Sequence, residues 1–129
     1  MDPRKPTETD SHAIDAHGLE EAAADFGAVY AELAALYCQD NLPRLARMRG
    51  ACARGDLAEL AGASHALAGS SASIGARGLA ASCKSLERLA REPAAPDPAD
   101  VGRRIDAISA ALEGVIALLG QYAAKDSRP

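Results

Sequence analysis

The sequence predicts an all-α fold, an antiparallel four-helix bundle with a short N-terminal helix. Three observations predict it. Apolar residues recur at three- and four-residue spacings through the long stretches, and no segment alternates with the two-residue period of a strand. Gly, Pro and Asp punctuate the chain where those stretches end. Aromatic residues make up only 3% of the chain while apolar residues reach 48%, so small and aliphatic side chains must fill the core, which suits close-packed helices. A chain of 129 residues is one domain. Its bundle is expected over 14–124, with 1–13 and 125–129 as disordered ends.

Taken in order, Met1 to Ser11 is polar and carries two prolines. A short helix from about Asp15 to Ala24 would place Ile14, Leu19 and Ala23 as a lid on the bundle. From Phe26 to Cys52, the residues Phe26, Val29, Tyr30, Leu33, Leu36 and Tyr37 share one face. Pro43 ordinarily breaks a helix, because it removes a hydrogen bond and clashes with the turn before it. The apolar phase nevertheless runs on through Tyr37, Leu45, Met48 and Cys52. This favours one long helix kinked at Asp40 to Pro43 over two helices joined there.

The next helix spans Asp56 to Ser73. Asp56 and Glu59 have the spacing of a capping box, in which the Asp accepts from a first-turn N–H and the Glu reaches back. Gly55 suits the left-handed position that ends the preceding helix. Leu57, Leu60, Ser64, Leu67, Ser71 and Ile74 form the inward face. A turn at Gly75 leads to a helix over Arg77 to Arg91, with Leu79, Cys83, Leu86 and Ala90 inward. EPAAPDPAD is a proline-rich linker. Asp97 then caps the last helix, with Pro98 at its first position and Asp100 in its first turn. Val101, Ile105, Ile108, Leu112, Val115, Leu119 and Tyr122 follow at the alternating spacing of a bundle seam.

Composition excludes several function classes. A net charge of −4 and a pI near 5.3 argue against a nucleic-acid or anionic-membrane surface. No apolar run approaches the roughly 18 residues of a membrane span, and the N-terminus lacks a signal-peptide core. A cytoplasmic monomer is expected. Cys38, Cys52 and Cys83 are odd in number and lie at apolar positions, which reads as free buried thiols in a reducing compartment. No Cys/His spacing resembles a metal site, and no Glu-x-x-His pair would hold a haem or di-metal centre. His12 and His17 read as surface residues.

His65 is the informative residue. It falls off the centre of its helix's apolar face. Its neighbours one turn away are Ala61, Gly62, Ala68 and Gly69; two turns out lie Ala58 and Ala72. All are Ala or Gly, so the imidazole is expected on an open strip, with Ala58, Ala61, Gly62 and Ala72 as a docking surface. Gly62 and Gly69 each cost about 1 kcal/mol relative to Ala in a helix interior. That cost is understandable if something must approach the backbone beside His65. With no acid on its own helix face, His65 is a poor triad member. A neutral imidazole nitrogen can still attack a phosphoryl group. Ser70 and Ser71 read as small polar residues at the helix interface.

The run SHALAGSSASIGARGLAASCKSLE resembles the signature of histidine phosphotransfer (HPt) domains. His65, Leu67, Gly69, Ser70, Ser71, Gly75, Ala76, Leu79, Cys83, Leu86 and Glu87 match over both helices in one register, and a wider resemblance covers about Ile14 to Tyr122. The resemblance implies a phosphorelay carrier rather than an enzyme. His65 would accept a phosphoryl group from a receiver-domain aspartate and pass it to another receiver. The partners implied are response-regulator receiver domains, including that of a hybrid sensor kinase. The protein itself would need no cofactor, since the receiver brings Mg²⁺ and most catalytic groups. One departure matters: Ala68 stands where the family usually has a lysine beside the phosphoryl group. An antiparallel return of the next helix reaches the height of His65 near Lys84. Lys84 is therefore expected as the nearest cation, with Glu87 where the family often places a polar neighbour of the histidine. The alternative is an adaptor that keeps the fold and only docks a partner through the small-residue face.

Overall fold

The computed structural model describes residues 8–126, with side chains from 12 to 122. Its helices are α1 (Glu8–Phe26), α2 (Tyr30–Arg54), α3 (Leu57–Ser73), α4 (Arg77–Arg91) and α5 (Pro98–Asp126), with a 3₁₀ turn at Gly27–Val29 between the first two. There is no strand among the described residues. The expected all-α bundle is what the chain forms.

α2 to α5 make the antiparallel bundle. α2 and α3 run in opposite directions, since Tyr30 reaches the Ile74 carbonyl and Tyr37 the Ser71 hydroxyl, while Asn41 meets Ser70. α5 begins beside the end of α2, where Arg49 binds Asp106. Core side chains come from every helix: Leu19, Tyr30, Met48, Leu60, Leu67, Leu79, Leu86, Ile105, Ile108 and Leu112 are all fully buried. The predicted seam of α5 is buried from Val101 through Leu119, and Tyr122 is partly buried.

Local chemistry sets the element ends. Gly55 closes α2 at φ 69°. Asp56 caps α3 through the Glu59 N–H at 3.1 Å, as expected. The reciprocal half of the capping box is not needed, because the Asp56 N–H already donates to the Ala51 carbonyl. Asp97 caps α5 through the Ala99 N–H. α2 is continuous through Pro43. Pro43 and Gln39, whose carbonyl loses its N–H partner there, both face solvent, so water can take the missing donor's place.

Several expectations are corrected. α1 begins at Glu8 instead of near Asp15, so part of the expected disordered N-terminal segment is helical; residues 1–7 lie outside the described residues. α5 continues to Asp126, past the expected end of the bundle at 124, and the rest of the expected tail also lies outside the described residues. Gly27, at φ 60°, separates α1 from α2, which makes Phe26 the last residue of α1. Phe26, Val29 and Leu36 are exposed although their spacing had placed them inward, and Ile14 is exposed where a lid was expected. The α2 face that turns inward is centred on Tyr30, Ala34, Tyr37 and Asn41. Cys38 and Cys52 are only half-buried, whereas Cys83 is buried; all three are free thiols. α5 also has the length and composition to cross a membrane over Pro98–Tyr122, at a mean hydropathy of 1.3. Ala between the seam residues raises that mean, polar residues such as Ser109 and Glu113 interrupt the apolar run, and the seam itself lies in the bundle core.

α1 is fastened to the α3–α4 turn by backbone. A Cβ on Gly18 would overlap the Gly75 carbonyl, and one on Gly75 would overlap the carbonyl of Gly18. Gly75 also sits at φ 95°, a conformation in which L side chains are strained. Beside this contact the buried Asp15 carboxylate accepts the N–H groups of Gly78, at 2.6 Å, and Leu79, at 3.3 Å. α4 has no side-chain cap of its own at Ala76, so Asp15 supplies one from another helix. Burial pushes the Asp15 carboxyl up, and the two amide donors offset this only in part.

Candidate functional site

His65 lies midway along α3 with its side chain 73% exposed. Its Nδ1 is 3.0 Å and 3.1 Å from the two carboxylate oxygens of Glu87 on α4. With the carboxylate accepting, Nδ1 carries the proton, and the lone pair of the neutral ring is on Nε2. Glu87 is itself held from the other side: Arg91, one turn along α4, donates from Nε at 2.9 Å. Burial pushes the Glu87 carboxyl up, but the hydrogen bonds and charges of Arg91 and His65 together outweigh it and hold it below the ordinary carboxylate value.

The small residues around His65 divide into two sets. Ala58, Gly62, Gly69 and Ala72 are exposed. Ala61 and Ala68 are not, at 1% and 2% exposure, which corrects the expectation that the whole strip is open. They lie on the flank of α3 that turns toward α4, where the absence of long side chains lets the two helices pack closely. The same closeness brings the Glu87 carboxylate within reach of His65. Gly62 and Gly69 have nothing within 4 Å of where a Cβ would stand. Packing inside the molecule therefore does not require glycine at either position.

Lys84 is exposed and has no ion pair or hydrogen bond among the described residues. The cation joined to the site is Arg91. Arg91 lies beyond the level of His65 that an antiparallel return of α4 gives, but its i,i+4 spacing from Glu87 is a recognisable acid–base signal in the sequence. Ser70 and Ser71 stand at the α2–α3 interface as expected, bonded to Asn41 and Tyr37. The Tyr37 hydroxyl titrates well above its ordinary value, mainly through burial. Burial pushes the Cys83 thiol up to about 12. Ser64, next to His65, is buried with no partner for its hydroxyl among the described residues. His12 and His17 are exposed, and His17 pairs with Glu21. Among the described residues no group of three or more His, Cys, Asp or Glu side chains could hold a metal ion.

A helical bundle with an exposed imidazole bonded to a carboxylate on the neighbouring helix has the outline that the HPt resemblance implies. The Hpt domain family model matches residues 32–118, from within α2 to near the end of α5. The chain belongs to the Hpt domain family, and so takes part in histidine phosphotransfer with receiver domains of two-component systems. Comparison with curated proteins and with solved structures gives no match.

Proposed function

We propose that His65 is the phosphoacceptor of a phosphorelay carrier. The observation that supports this reading is the exposed imidazole with Nδ1 engaged by Glu87 and Nε2 directed away from that bond. The Nε2 lone pair attacks the phosphorus of a receiver's aspartyl phosphate. The acyl P–O bond breaks and the aspartate carboxylate leaves with its electron pair. The Nδ1 proton stays in place, so the phosphorylated ring is an imidazolium whose positive charge faces the Glu87 carboxylate. Transfer onward reverses these bonds with a second receiver. Mg²⁺ belongs to the receiver in this scheme, and the chain carries the group in the cytoplasm without being an enzyme.

Gly62 and Gly69 fit the same reading. Both have room for a Cβ, so their absence of side chain serves an approach from outside. Arg91, and not Lys84, is the cation we assign to the site in place of a lysine at Ala68. Incubation with acetyl-phosphate-loaded receiver domains tests the proposal. Acid-labile, base-stable label should appear on the wild type and be absent from His65→Gln. Label that persists on the variant rejects the assignment, and binding without any transfer to the wild type supports the adaptor reading instead.

A further inference from the structure

Away from His65, α4 and α5 border a cavity of about 400 Å³. The sequence explains why they do not close it. α4 lines the gap with small residues, Gly78, Ala81, Ser82 and Ser85, and α5 opposes them with Ala107 and an edge of Ile108. Small residues let α3 and α4 pack closely, but here both ends of the gap are propped. At one end α1 lies across it. The Asp15 carboxylate accepts the Gly78 and Leu79 N–H groups of α4, and the Tyr122 hydroxyl of α5 donates to the Ala16 carbonyl. At the other end Arg104 of α5 reaches over to Ser85 of α4, donating from Nη1 at 3.2 Å. The levels of Gly78 and Ser85 are about 10 Å apart along α4.

The two ends differ in chemistry. Ile14, which is 45% exposed, walls the α1 end. Arg77 also borders that end, but its guanidinium is turned to Glu21 of α1. The Ser85 end is polar. Arg104 gives its Nε–H to Asp100 and an Nη1 donor to Ser85, while its Nη2 has no partner among the described residues. The Ser82 hydroxyl, one turn away on α4, is equally unpartnered among them. Asp100 is shared with Arg103, so one carboxylate stands against two guanidinium groups. Of the acids on α4 and at its end, Glu87 faces α3, and Glu92 lies about 10 Å beyond Ser85.

We propose that this cavity binds a small amphipathic carboxylate of the medium-chain fatty-acid class, its carboxylate on Arg104, Ser82 and Ser85 and its tail running toward Ile14. Small-ligand sites have this volume and this make-up, mostly apolar walls with a few polar groups at one place. The charge of Arg104 and its unspent donors select a carboxylate. A guanidinium already fixed by two bonds gives up little further freedom when it takes a third partner. The length of the gap argues against a partner helix. A helix laid along it would complete about two turns before meeting α1 or the Arg104–Ser85 bridge. The site lies on the side of α4 away from α3, and the proposal stands whether or not His65 carries phosphate.

Octanoate, about as long as the gap when extended, is the probe. It is titrated into the full chain while the methyl resonances of Ile14, Ala81 and Ala107 are followed by NMR. The three should shift together and saturate with a dissociation constant of about 1 mM or tighter. Octanol and octylamine should bind about tenfold more weakly or worse. Arg104→Gln should remove the preference for octanoate over octanol, and Arg104→Lys should restore part of it. Ala107→Phe and Ala81→Phe fill the gap from opposite helices, and whichever keeps the wild-type circular dichroism should abolish the shift of Ile14. No saturation by about 10 mM overturns the proposal. So does octylamine binding as tightly as octanoate, or an unchanged octanoate affinity in Arg104→Gln and in a folded Phe variant. Co-sedimentation with phosphatidylglycerol vesicles, with no uptake of monomeric octanoate, overturns it in favour of a membrane contact.

Discussion

The His65 imidazole and the Glu87 carboxylate meet across two helices, 3.0 Å apart at their closest, although 22 residues separate them in sequence. The bond fixes which ring nitrogen faces outward. Glu87→Ala should free the ring to exchange tautomers, losing an interaction of about 1 kcal/mol and slowing phosphoryl uptake roughly fivefold. Ring ¹⁵N shifts of His65 should show both tautomers in the variant and one in wild type. A single tautomer in both proteins would show that the carboxylate does not set it.

Arg91 should matter through charge. Arg91→Ala should reduce transfer severalfold at low salt, since an exposed charge at about 4 Å is worth on the order of 1 kcal/mol. Ala68→Lys should recover part of the loss, provided the longer side chain can escape the α4 contact that buries Ala68. Lys84→Ala should leave the single-turnover rate at saturating receiver unchanged. If Lys84→Ala slows that step and Arg91→Ala does not, the cation is Lys84 after all.

Ser64 should be replaceable at a gain. Its hydroxyl is buried and unpartnered among the described residues, and such a group costs about 1–3 kcal/mol. Ser64→Ala should raise Tm by roughly 3–5 °C for each kcal/mol recovered in a domain of this size, with transfer intact. A lower Tm would mean that the hydroxyl has a partner, such as a buried water.

Asp15 ties stability to pH. Its folded carboxyl is raised above 3.8, so its contribution is complete below the ordinary value and is lost as pH rises through the raised one. Asp15→Ala removes the cap of α4 and should cost about 1–2 kcal/mol. The Tm gap between wild type and variant should be widest below the ordinary carboxylate value of 3.8 and narrow as pH rises above it. A gap that widens with pH would show that the amide donors, not burial, dominate.

The helices were legible wherever spacing and punctuation agreed. α3 and α4 fall within a residue of expectation because Gly55, Asp56 and Gly75 each dictate a chain conformation or an end. The start of α1 was not legible, because its turns carry few apolar residues to set a phase. The outward turn of Phe26, Val29 and Leu36 was hidden for a different reason. Periodicity shows that residues share a face, but only the packing of α3 and α5 on α2 decides which of two adjoining stripes is covered. At the site, His65 and Glu87 could be read from the sequence. The burial of Ala61 and Ala68 could not, since alanine serves equally in an open strip and in a tight helix contact.

The backbone contact between Gly18 and Gly75 has a consequence for the order of synthesis. α1 leaves the ribosome ahead of α2 to α5, yet the turn against which it packs and the N–H groups that Asp15 caps come more than fifty residues later. At roughly 5–20 residues per second, that is a wait of several seconds. α3 and α4 can pair as soon as their hairpin emerges, whereas α1 must be kept from other partners until residues 75–79 appear. A nascent chain arrested before Gly75 should therefore leave α1 open to protease, and one arrested after α4 has cleared the exit tunnel should begin to protect it.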